Sequence, residues 1–131
     1  MKNRKRTIIS VCGLLAIGII IVSCYMYLCT YKLLSRHYLD DLELNAPNGD
    51  YKLQICEWEA LGGGGAEIYY VNNDERVLLG ETAVKSGVYS FADGDYVIEW
   101  TDEYICIKYR SGRGVETEDP SSWRENTFFL P

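Results

Sequence analysis

Five cysteines, a single histidine and a handful of acidic turns are the residues of this 131-residue chain whose types could do chemistry. The histidine, His37, follows closely on a long apolar run. Its place there removes histidine-based acid–base work, nucleophile activation and the commoner zinc sites from the rest of the chain. Asp93-Gly94-Asp95 and Glu116-Thr117-Glu118-Asp119 gather oxygens, as a calcium site does. Neither has the spacing of a known calcium loop, and acidic turns at a surface commonly serve solubility. Gly62 to Gly65 suggests a phosphate cradle, but no Lys-Ser or Lys-Thr follows and Glu67 stands where an anion would approach. A hairpin tip is the better reading. Paired carboxylates alone need a cleft that about 85 residues of short strands can scarcely provide. No catalytic, cofactor-binding or metal-binding residue is therefore assigned, and the chain reads as a non-enzyme.

Four residues keep a specific expectation. Cys24 ends Ile21-Val22-Ser23-Cys24, which fits the lipobox of bacterial lipoproteins, where the cysteine is lipidated and becomes the first mature residue. Against lipidation, Tyr25 to Tyr31 stays apolar where a polar tether usually begins, and Cys12 and Cys29 show cysteine serving as a small apolar residue nearby. Cys56 and Cys106 each point away from the apolar set of their own strand, so both are expected on one face of a sheet. In an oxidising compartment a bond between them would close a loop of about 50 residues, a stabilisation of about 4 kcal/mol on the chain-entropy model. It requires Cα atoms within about 7 Å, hence neighbouring strands; otherwise each is a small filler. Trp123, in the long Ser111 to Glu125 loop, reads as a partner contact or as a lid over the sheet.

The element that must position all of these is Thr7 to Tyr31, 25 consecutive residues without a charge. As a helix this stretch is about 37 Å long, enough to cross a hydrocarbon core of about 30 Å. Lys2, Arg4, Lys5 and Arg6 precede it, whereas only Lys32 and Arg36 follow closely. The more basic flank stays in the cytoplasm, so the remainder is expected outside the cell membrane. Five of the 13 Lys and Arg precede Ser35, which leaves 8 against all 19 Asp and Glu, a net charge of −11 on the exported part. Such a surface repels nucleic acid and anionic head groups and attracts basic partners. The chain thus divides into a basic tail and membrane anchor (1–34), a stalk (35–44) and an extracytoplasmic domain (45–131). Residues 32–44 keep a partly helical spacing through Leu33, Leu34, Tyr38 and Leu42, which predicts a continued helix. Pro47 and Asn48-Gly49 stop it.

Beyond that point the period changes from helical to two. Tyr51, Leu53 and Ile55 alternate with Lys52, Gln54 and Cys56, and further runs lie at 67–71, 76–82, 96–100, 104–109 and 127–130. Asn72 to Glu75 and Thr101-Asp102-Glu103 read as hairpin turns, and Asp93-Gly94-Asp95 opens a strand. The fold class is a transmembrane or lipoprotein-signal helix followed by a small all-β antiparallel meander, with one core in about 85 residues.

Asn45-Ala46-Pro47-Asn48-Gly49-Asp50-Tyr51, Gly64-Gly65-Ala66 and Trp100-Thr101-Asp102 followed by Ile105-Cys106-Ile107 resemble small Gram-positive anchored proteins of a domain-of-unknown-function family. That family shows a helix, then S-P-N-G-x-Y, G-G-A and W-x-D. This chain departs from it with Ala46 for the serine and with a longer loop near its C-terminal end. The resemblance implies fold and location and carries over no functional residue. The same pieces are similar to one blade of a TolB-like propeller, but one blade cannot close a ring of at least four. The expected function is a membrane-anchored, non-catalytic binding or accessory module of the cell envelope, partnered by the membrane through residues 7–31 and by an envelope protein. No cofactor, nucleic acid or small-molecule substrate is expected. The alternatives are an acidic inhibitor or immunity-type protein against a basic toxin or hydrolase, and a lipoprotein anchored at Cys24.

Overall fold

The computed structural model describes residues 2–30, 35–73 and 75–131, and the side chains of 12–27 within the first stretch. One helix, α1 (Lys2–Thr30), precedes two antiparallel sheets. Its 29 residues make a rod about 43 Å long. Among the described residues no helix is long and apolar enough to cross a membrane. The span expected for Thr7 to Tyr31 lies partly outside the described side chains, which cover fewer than the about 20 residues a bilayer needs. Within 12–27, Leu14, Leu15, Ile17, Ile19, Ile20, Ile21 and Val22 are all exposed. At 3.6 residues per turn these positions circle the helix, so no polar side faces water.

The expected helical stalk is corrected where it is described. Residues 35–45 form two short strands, β1 (Ser35–Tyr38) and β2 (Leu44–Asn45), laid one after the other along β3 (Lys52–Ala60). β4 (Gly63–Asn72) and β5 (Glu75–Val84) complete the first sheet. Leu42, one of the residues whose spacing suggested a helix, instead joins Leu39 and Leu44 in sealing the sheet's edge against the core, and the Leu39 N–H donates to Ile55 O at 3.0 Å; Leu33 and Leu34 lie outside the described residues. β6 (Tyr96–Trp100), β7 (Tyr104–Tyr109) and β8 (Arg124–Phe129) form the second sheet. The single expected meander is thus two, joined by a crossover over 85–95 and packed face to face. Leu53, Ile55 and Ile68 of the first sheet share one core with Ile105, Ile107, Tyr109 and Phe128 of the second.

Local chemistry sets the details. Asn73 takes a left-handed φ of 51° in the β4–β5 turn, a conformation asparagine tolerates well. Only Leu61 and Gly62 form the preceding turn, so the glycine run is mostly strand rather than hairpin tip. A Cβ on Gly65 would collide with the Thr82 carbonyl oxygen and stand 3.0 Å from the Trp58 ring, so the missing side chain lets the β5 backbone come close and leaves room for the indole. On the outer face of the first sheet Arg36 pairs with Glu67, Tyr69 donates to the same carboxylate at 2.7 Å, and Arg76 stacks over Tyr69 and Tyr38. Cys56 is completely buried on that face.

Candidate functional site

The residues singled out by type are scattered. Cys56 and Cys106 are free thiols. They sit on β3 and β7, strands of different sheets, and each turns away from the shared core, so the sandwich stands between them. The expectation of neighbouring strands and one common face fails, because a period-two pattern fixes a side within a strand but not the sheet to which the strand belongs. Both are fillers: Cys106 lies on the outer face of β7, opposite Glu99 and Thr127, and burial pushes its thiol pKa up. Cys24 is exposed on α1. Trp123 is half-buried and donates its indole N–H to Thr117 O at 2.9 Å, so its polar edge is used within its own loop.

Two carboxylates of the acidic turns have structural partners. Asp95 pairs with Arg110 at 3.1 Å, and Asp119 accepts from Ser121 N at 2.8 Å. Among the described residues no three of His, Cys, Asp and Glu converge as a metal site. His37 lies on β1 opposite Glu57 rather than in a stalk.

Sequence reasoning passed over β3's own pattern. Leu53, Ile55, Glu57 and Glu59 share one face, and along it the role changes from filling the core to holding the crossover. Glu57, buried, accepts from Phe91 N at 2.8 Å. Burial raises its pKa, and the backbone donors of Phe91 and Ala92 oppose that shift. Two residues on, Glu59 accepts from Tyr89 OH, from Ser86 Oγ at 2.7 Å and from Gly87 N at 2.9 Å. The Tyr89 and Ser86 hydroxyls lower its pKa. These two carboxylates fasten the 85–95 crossover to the first sheet.

The registers also separate the two ends of the sandwich. β1 starts beside Glu59, so the 61–62 turn and the 85–95 and 110–123 loops lie at the end that α1 reaches. Tyr25 of α1 borders a groove there with Trp58, Ala60 and Val84. The 46–50, 72–75 and 101–103 turns lie at the far end. There they surround a hollow of about 420 Å³, lined by Asn48, Asp50, Tyr51, Tyr70, Asn72, Asp102, Leu130 and Pro131. A smaller one of about 130 Å³ adjoins it through Asn48, Tyr51 and Asp102 and reaches Trp100. Tyr51 stacks on Tyr70 with ring centroids 4.7 Å apart and lies 5.9 Å from Trp100. Burial raises the Tyr51 phenol pKa, with Tyr70 and the Asp102 charge adding to it. The pieces Asn45 to Tyr51 and Trp100-Thr101-Asp102, far apart in the chain, meet at this end. A broader hollow of about 500 Å³, beside Leu39 to Leu42 and Phe91, runs along the β1–β2 edge, where Asp40 already accepts from Gln54 Nε2 at 3.0 Å.

No known protein family, curated protein or solved structure matches this chain.

Proposed function

We propose that this chain is a membrane-anchored extracytoplasmic module of the cell envelope that binds a basic protein partner without catalysis. The observation that carries this reading is the separation of its two specialised surfaces. An apolar helix reaches one end of the sandwich, and an open, aromatic and acidic hollow lies at the other. A helix that exposes apolar side chains all round needs an apolar surrounding, and the basic residues before it favour a cytoplasmic N-terminus. Asp50, Asp102 and Glu103 project at the far end, and among the described residues none of them pairs with a basic side chain. The resemblance to anchored Gram-positive proteins agrees with the tether. Anchoring by lipid at Cys24 uses the same surfaces, and palmitate label lost on Cys24→Ser would select it. An inhibitor of a basic toxin or hydrolase is a second reading, favoured by the same acidic end.

Photo-crosslinking in intact cells tests the reading. A photoreactive residue at position 103 should give discrete adducts with basic envelope proteins, and one at position 116 should give none. A single adduct of one-to-one stoichiometry selects the inhibitor. Adducts at 116 with none at 103 would overturn the assignment of the far end as the binding surface.

A further inference from the structure

The far-end hollow has a composition that selects one kind of ligand group. We propose that the hollow beside Tyr51 and Tyr70, rimmed by Asp50 and Asp102, seats an arginine or lysine side chain of a basic polypeptide. This deepens, and rests on, the binding-module reading above.

The aromatic wall comes first. Tyr51 and Tyr70 are half-buried and stacked on each other; Tyr70 lies on β4, and Tyr51 just before β3 accepts through its carbonyl from Ala46 N at 2.9 Å, so their outward faces are held in place before any ligand arrives. A ring face attracts a cation within about 6 Å of its centroid, and the attraction grows as water is excluded. The volume, about 420 Å³, is enough for a guanidinium or ammonium group with its aliphatic stem. The polar rim then sets the sign of the charge. Asp50 and Asp102 are exposed, and no lining residue is basic, so an anion meets only repulsion while a cation gains from both carboxylates. Asn48 already donates to Asp50 at 2.9 Å and fixes one oxygen, while Asn72 donates to the Tyr70 hydroxyl at 3.2 Å. The remaining lone pairs of the Asp50 and Asp102 carboxylates can accept from a group that only donates. Net charge of −11 beyond residue 34 draws a basic chain toward the domain, and the hollow gives it a place to dock.

Calorimetry on the full-length chain in uncharged detergent micelles, with tetra-arginine amide as the probe, tests this. Removing two charges at the rim with Asp50→Asn and Asp102→Asn together should weaken binding about ten-fold. Removing two at the other end with Glu116→Gln and Glu118→Gln should change it less than about two-fold. Tyr70→Leu, which leaves the charge untouched, should weaken binding about three-fold. Equal losses from the two charge pairs would show diffuse attraction and overturn the site, as would full affinity in the rim pair. The assay uses purified protein, so it can fail while the membrane assignment stands, and the membrane assignment can fail while the site stands.

Discussion

Glu57 and Glu59 stand two residues apart on one face of β3, and their surroundings drive their ionisation in opposite directions. Glu57 is taken out of water, so its folded pKa lies above the ordinary carboxyl value of about 4.3. Its contribution to stability is present at acid pH and is lost as pH rises through that raised value. Glu59, held by hydroxyl donors, has a lowered pKa, and its contribution is present at neutral pH and lost as pH falls through the lowered value. Thermal melts between about pH 3 and pH 7 should therefore separate two similar substitutions. Relative to the unaltered chain, Glu57→Gln should improve as pH rises, whereas Glu59→Gln should worsen. The same trend in both would refute the assigned environments. Nothing in the sequence distinguishes the two residues, because the difference comes from a crossover about 30 residues away that only the fold brings near.

At the scale of elements, β6 and β7 have the bounds that alternation predicts, and the hairpin turns at 72–75 and 101–103 fall where Asn and Asp place them. The strands of local pairs were legible because each carries its own period-two pattern. β1 was not. Its four residues are exposed, and they pair with Cys56 to Glu59, from Tyr38 with Cys56 to Ser35 with Glu59, so no local signal marks them. The far-end hollow escaped for a related reason, since its walls come from three separate turns. The division into two sheets has a direct consequence for the cysteines. With Cys56 and Cys106 on opposite outer faces, the full-length chain exposed to oxidant while folded and then unfolded without reductant should still show both as reactive thiols. In the folded state Cys56 should react slowly, because it is fully buried. Loss of both thiols in monomeric protein would mean that β3 and β7 approach each other in a way this topology forbids.

The whole molecule is polarised along its length, with an apolar helix at one end and an aromatic and acidic hollow at the other. A chain arranged in this way makes sense if the helix is held in the cell membrane and the sandwich stands outside it. Protease added to intact protoplasts tests that claim most directly. The account predicts that residues from about Ser35 onward are digested while a small fragment containing α1 survives. Complete protection of the sandwich until the cells are lysed would contradict it.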